Sequence, residues 1–414
     1  MPRLNPALAT QQPNPMFRIG ALVYGRDDVL HLEFGEPDFP TPAHISAAAN
    51  ASINDERQGY GPGNGLAELR AAVARRVSRV NEFAPTAEQV VMTEGGTGGL
   101  MGSLLALCAP GDLVLTPDPG WPGYDAMLAV AGVGRAYYPL LAERGWQPDL
   151  DALEAAITPQ TRVLLVNSPS NPGGAVYPAE TVAALVEIAA RHDLWLLSDE
   201  CYDELVYDGN HVSPAKLDGD GRVLTVGSFS KTYAMTGWRI GWVVAPPAIA
   251  PALGLVTAAQ INNLPLFVQR AALAALDGPQ ACVAAMRASY QARRDLATGL
   301  LCERGLLEYT PAGAFYLLVP VARAAGYGPG EEPDKLFDAL AFAEALITER
   351  GIALAPGSAF GSRAARYVRV SLASAPETLQ AGITGLLDFA AEWRQRQESR
   401  PRGGKGKTNG VLRA

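Results

Sequence analysis

Apolar and polar positions along the chain follow two different periods. Leu66, Leu69, Val73 and Val77 recur at helical spacing, with Asn64 placed as an N-cap and Glu68 in the first turn. Steps of three and four residues put such side chains on one helical face. Short apolar runs bounded by turn residues predict buried strands over Val163–Asn167, Leu194–Ser198, Val223–Val226 and Gly241–Val244. Runs that are apolar without alternation suit a sheet covered on both faces. Between the first two, Val182, Leu185 and Ala189 align on a helix over Thr181–His192. Strand, helix and strand at this spacing predict an α/β fold with a parallel sheet.

Beyond about residue 275 the texture changes. A helical stretch over Ala281–Leu301 is followed by a strand over Gly313–Val319, a Gly- and Pro-rich loop over Gly326–Pro333, a helix over Asp334–Arg350, and strands near Ile352–Leu354 and Tyr367–Leu372. This predicts a smaller α+β domain. The expected division is an N-terminal arm with part of the small domain (1–45), a large domain (46–280), the small domain (281–393) and a flexible basic tail (394–414). In that tail seven basic side chains stand against one acidic, diluted by four glycines, which cannot build a core.

Composition narrows the function. With 414 residues the chain exceeds the size at which one core stops growing. A net charge of -8 leaves no electrostatic footprint for nucleic acid. Cys108, Cys201, Cys282 and Cys302 lie far apart, with no C-x-x-C pair and no clustered histidines, so neither a disulfide framework nor a metal site is expected. The first twenty residues hold no apolar run of the kind a signal peptide needs. Ile240–Gln269 is free of charge, but Pro246, Pro247, Pro251 and Pro265 interrupt it, so it reads as a buried interior segment rather than a membrane span. A cytoplasmic enzyme is the expectation.

The chemistry-bearing residues begin with Ser228-Phe-Ser-Lys231, just after a buried strand, followed by Met235-Thr-Gly-Trp-Arg239-Ile-Gly241. Desolvation lowers a lysine's pKa and frees its amine as nucleophile and base. Ser228 and Ser230 offer hydroxyls, and Arg239 a fork suited to phosphate. Asp199 ends a buried strand, where ligands of open α/β sheets collect. Gly95, Gly96 and Thr97 open a helical stretch and offer donors to an anion; the following Gly98 and Gly99 suggest a roomier pocket floor.

These segments resemble the lysine motif and companion motifs of the class I and II aminotransferases, over roughly residues 30–390 and in the family's order. The resemblance implies the pyridoxal-phosphate fold type I, a mainly parallel seven-stranded sheet sandwiched by helices plus a smaller α+β domain. It implies pyridoxal 5'-phosphate carried by Lys231 as a Schiff base, with Asp199 on the pyridine nitrogen. Ser198-Asp-Glu-Cys-Tyr202 and Asn167-Ser-Pro-Ser-Asn171 are similar to segments whose Tyr and Asn donate to the ring's phenolic oxygen, here Tyr202 and Asn171. Trp121 in Pro119-Gly-Trp-Pro-Gly-Tyr124 would stack on the ring. Gly35 in Gly35-Glu-Pro-Asp-Phe39 and Arg369 would bind the substrate carboxylate with Asn171, Arg366 being a rival for that role. Tyr60 would cross a homodimer interface to the neighbouring phosphate. The function implied is ping-pong transfer of an amino group between an amino acid and a 2-oxo acid. A β-lyase, an α-oxoamine synthase and an oxidase-type enzyme use much the same residues, and a ligand sensor or a scaffold with a basic tail are further alternatives. The stretch Arg191–Pro214 is similar to arginine–pyruvate transaminases.

Overall fold

The computed structural model describes residues 13–327 and 337–399. Most of the expected Gly- and Pro-rich loop, the start of the helix that follows it, and the tail from residue 400 lie outside the described residues. Among the described residues thirteen strands occur in chain order: β1 Leu30–His31, β2 Val90–Thr93, β3 Leu113–Asp118, β4 Gly134–Leu141, β5 Gln147–Pro148, β6 Thr161–Asn167, β7 Trp195–Asp199, β8 Val223–Ser228, β9 Gly241–Val244, β10 Tyr316–Val319, β11 Ile352–Ala353, β12 Ala355–Pro356 and β13 Val368–Ser371.

The large sheet runs in the order β2-β9-β8-β7-β6-β3-β4-β5. Strands β8, β7, β6, β3 and β4 pair in parallel, whereas β9 is antiparallel to both its neighbours and the two-residue β5 is antiparallel to β4. Val163, Leu164, Leu165, Leu196 and Leu197 are completely buried, as expected of strands with helices on both faces. The reversal at β9 follows from the connection before it. Residues 229–240 hold only a one-turn helix, Phe229–Thr232, and a short 3-10 turn, Thr236–Trp238. That is less than the crossover helix a parallel return requires, so the chain folds back beside β8.

A second core gathers Phe315, Leu317, Phe342, Leu346, Val370 and Phe389 around the antiparallel sheet β10-β13-β12. Ile19, Val23 and Leu32 from the N-terminal arm join the same cluster, and β1 pairs in parallel with β11. The last helix runs Pro376–Ser399, so the backbone stays helical past Trp393.

Two expectations are corrected. Asn64 does not cap the helix Ala67–Val80; its N-terminus is met by Gln269, whose Oε1 accepts the Leu66 N–H at 2.7 Å. That acceptor comes from a residue 203 positions away, beyond any local pattern. The segment Ile240–Gln269 is not wholly interior either. Its prolines divide it into β9, the helix Ala250–Ile261 and the start of the helix Leu266–Asp277, and Leu255 is 74% exposed. Among the described residues no helix is long and apolar enough to cross a membrane.

Candidate active site

The carboxyl ends of the parallel strands converge on one side of the sheet, where β6 ends at Asn167, β7 at Asp199 and β8 at Ser228. Beside them the 13-residue helix Gly95–Leu107 begins, directly after β2. Strand ends and a helix N-terminus meet there because each parallel strand needs a crossover on its far side, which leaves a crevice at the carboxyl edge. The crevice is a cavity of about 1470 Å³, larger than the 300–1,000 Å³ of ordinary ligand pockets and so able to hold a cofactor and a substrate together.

Gly35, Gly96, Thr97, Trp121, Asn171, Asp199, Tyr202, Ser228, Ser230, Lys231, Arg239 and Arg369 all line this cavity. Two of the expected residues do not. Gly95 sits just behind it, where a Cβ would lie 2.9 Å from Arg239 Nη2. Tyr60 is 91% exposed and away from the cavity of its own chain. Arg366 is also outside, its guanidinium donating to the Tyr327 carbonyl at 3.1 Å. Gly98 and Gly99 do not widen the floor, since neither lines the cavity. A Cβ on Gly99 would meet Val243 Cγ2 at 2.9 Å and Val226 Cγ1 at 3.0 Å. That glycine lets the helix lie close on the sheet.

Lys231 belongs to the one-turn helix between β8 and β9. Its Nζ donates to the Gly35 carbonyl at 2.6 Å, and burial pushes the amine down to about 8. Gly35 must be glycine, because a Cβ there would lie 1.9 Å from Tyr316 Oη. Asp199 is buried, and burial raises its carboxyl above the usual range. Its Oδ2 accepts from Tyr124 Oη at 2.7 Å and its Oδ1 from the Cys201 N–H at 3.3 Å. No cation bonds it among the described residues, although an ionised carboxylate in such a place calls for one. Ser228 Oγ accepts the Ser230 N–H at 3.1 Å. Arg239 stands in the left-handed region at φ 55°, a conformation that costs on the order of 1 kcal/mol or more. Its Nη1 donates to Thr236 O at 2.7 Å and its Nη2 to Glu94 O at 3.3 Å, which aims the guanidinium at the start of the helix Gly95–Leu107.

On the other wall Arg369, on β13, is buried. Its Nη1 donates to Asn171 Oδ1 at 3.0 Å, its Nη2 donates to the Glu33 carbonyl, and its Nε has no partner. The guanidinium lies 4.5 Å from the Tyr316 ring centre and 4.7 Å from that of Phe360. Among the described residues no carboxylate pairs with it, so a buried cation with an unused donor faces the hollow. Asn167 Oδ1 accepts the Asn171 N–H at 2.8 Å, fixing the loop that carries Asn171.

The sequence pattern missed two contributors. Tyr124 holds Asp199, and its spacing of three from Trp121 was the available signal. Tyr316 shares a 2.8 Å hydrogen bond with Tyr202. Met16, Phe17 and Tyr24 bring the N-terminal arm to the cavity mouth.

Three comparisons bear on this geometry. The family model described as aminotransferase class I and II matches residues 27–386. An arginine–pyruvate transaminase of Pseudomonas aeruginosa is 37% identical over 378 residues, covering 91% of this chain and 93% of that protein. An aspartate/prephenate aminotransferase of Thermus thermophilus is 37% identical over 86% of this chain and 89% of that one. The solved structure of aspartate aminotransferase from Thermus thermophilus with maleate superposes with a TM-score of 0.86 at 35% identity, covering 94% of this chain and all of that one. The chain therefore belongs to the class I and II aminotransferases, pyridoxal-phosphate-dependent transaminases of fold type I.

Proposed function

We propose that this aminotransferase moves an amino group from an amino acid to a 2-oxo acid in two half-reactions at the described cavity, with Lys231 as the base. The observation that carries the reading is convergence. One hollow holds an amine whose pKa is pushed down to about 8, a buried unpaired acid, and two arginines set apart on opposite walls. The relatives' names favour transamination over β-elimination, α-oxoamine synthesis and oxidation.

The residues fit pyridoxal phosphate. Arg239, the hydroxyls of Thr97, Ser228 and Ser230, and the Gly96 N–H would form an anion site at a helix N-terminus, with Gly95 just behind it. Asp199 would accept the pyridine N–H, a cation that relieves the burial now raising its carboxyl. Trp121 supplies an aromatic wall. Because Arg369 donates to Asn171 Oδ1, the Asn171 Nδ2 is the amide atom left to donate, and with Tyr202 it would serve the phenolic oxygen. When bound, the cofactor supplies an electron sink that acidifies the substrate Cα–H.

Arg369 would take the substrate carboxylate as a two-pronged pair beside the Gly35 backbone. That anchors the Cα near Lys231 Nζ, which removes the Cα proton in one half-reaction and returns it in the other. An amine titrating near 8 is available as a base close to neutral pH. Gly35 and the lining residues before it come from the proposed arm, Tyr316, Phe360 and Arg369 from the proposed small domain, and the other lining residues from the proposed large domain 46–280.

The enzyme is further proposed to act as a homodimer in the cytoplasm. The exposed Tyr60, for which this chain has no use at its own cavity, would complete the partner's phosphate site, and four unpaired thiols suit a reducing compartment. The test is Lys231→Ala. It is expected to abolish the cofactor's lysine-bound absorbance and to lower turnover on the order of 10⁴-fold; retention of both would overturn the assignment.

A further inference from the structure

We infer that the side-chain compartment of this site selects amino acids and 2-oxo acids with one carboxylate and an apolar side chain, and rejects dicarboxylic substrates. The inference rests on the transaminase reading above and adds the substrate class. It comes from counting the charges that face the cavity.

Among the described lining residues four carry basic groups: His31, Lys231, Arg239 and Arg369. Each is engaged. Lys231 donates to Gly35, Arg239 stands at the anion site, and Arg369 is the one buried fork for a carboxylate. His31 has both ring nitrogens bonded, Nδ1 to Glu33 Oε1 at 2.7 Å and Nε2 to the Arg26 carbonyl at 2.9 Å. No cation remains for a second carboxylate, and a buried ion without a partner is strongly disfavoured.

A basic side chain fares little better. Asp199 belongs to the cofactor ring, and the other acidic lining residue, Asp125, is ion-paired with Arg135. Arg135 in turn lies 4.2 Å from the Tyr137 ring centre and donates to Thr116 Oγ1 at 2.6 Å, so the pair is held together and offers no net charge. The wall also carries a set of apolar and aromatic side chains: Met16, Phe17, Tyr24, Phe34, Val130 and Phe360. Phe17, Tyr24 and Phe34 are 75, 92 and 53% exposed, large apolar surface that an apolar substrate side chain would cover.

The charge count is that of one chain's own wall, and the surface that carries Tyr60 also carries the exposed Arg57. Both half-reactions use one compartment, so the acceptor follows the same rule. Pyruvate and aromatic oxo acids fit it; oxaloacetate and 2-oxoglutarate do not.

The experiment uses the holoenzyme. The half-reaction with L-phenylalanine and with L-aspartate is followed by the cofactor's absorbance, and 3-phenylpropionate and maleate are titrated as unreactive ligands. Phenylalanine is expected to exceed aspartate about 100-fold in kcat/KM, and 3-phenylpropionate to bind correspondingly tighter than maleate. Val130→Arg, at a 57% exposed position that should tolerate the change, is expected to tighten maleate about tenfold. Equal or reversed preferences in an enzyme with normal cofactor absorbance would overturn the inference alone. Loss of the cofactor signal and of reaction with every donor would overturn the transaminase reading and the inference with it.

Discussion

Burial gives the ionisable side chains of this cavity their chemistry. For Lys231 it lowers the amine to about 8, so the free base is reached well before the roughly 10.4 of an exposed lysine. The rate at which the apoprotein combines with pyridoxal phosphate should then rise about tenfold per pH unit below 8 and level off above it. Stopped-flow absorbance between pH 6 and 10 reads this directly, and a rate still climbing steeply above pH 9 would contradict it. For Asp199 burial acts in the opposite direction, raising the carboxyl, and the Tyr124 hydroxyl partly offsets it. Tyr124→Phe deletes that one donor and should cost about 1.5–3 kcal/mol of charge-assisted bonding. The expected result is a drop in kcat/KM on the order of tenfold or more, with the cofactor's spectral pH profile displaced and the thermal midpoint little changed. Lys231 and Asp199 stood out in the sequence because each sits at or just after the end of a buried strand, and Arg369 only because its motif resembles the family's. Tyr124 and Tyr316 did not, because a tyrosine in an apolar run carries the same pattern whether it fills a core or steadies a carboxylate.

The elements were legible where their stability is local and obscure where it is not. Runs such as Leu164–Val166 and Leu196–Leu197 are apolar because both sheet faces are covered, and a continuous run predicts that environment. Strand direction is absent from such a run, and the reversal at β9 depends on how little helix the residues before it can form. The cap at the helix Ala67–Val80 failed for the same reason, its acceptor arriving from Gln269. The paired glycines 98 and 99 show the difference within one helix. Ala is preferred over Gly by about 1 kcal/mol in a helix interior, so each substitution gains that much before packing is considered. At Gly98 the added methyl comes 3.1 Å from the Glu94 Cβ and 3.8 Å from the Thr93 Cβ, so the first helical turn need give by only a few tenths of an ångström. At Gly99 it is driven between Val243 and Val226 on the sheet, and overpacking of that kind costs typically 1–3 kcal/mol. Gly98→Ala should therefore be neutral to mildly stabilising and Gly99→Ala destabilising, a split that thermal melts of the two variants would show. Equal shifts would mean that the helix does not rest on the sheet through residue 99.

At the scale of the whole molecule the open question is whether one chain makes a complete site. Tyr60 is the residue that decides it, being 91% exposed and away from its own cavity. If it serves a partner, each site of a homodimer combines Lys231 of one protomer with Tyr60 of the other. Two weak variants should then rescue each other. In a hybrid of Lys231→Ala with Tyr60→Ala, one site carries both lesions and the other carries neither, because the intact lysine and the intact tyrosine meet there. Equal amounts unfolded, mixed and refolded together give hybrids as half of the dimers. One restored site in each predicts recovery to about a quarter of wild-type activity. Recovery depends on exchange, so the same variants refolded separately and then mixed should stay weak. If Tyr60 acted within its own chain, every hybrid would hold one damaged lysine site and one damaged tyrosine site, and co-refolding would recover nothing beyond the sum of the parents.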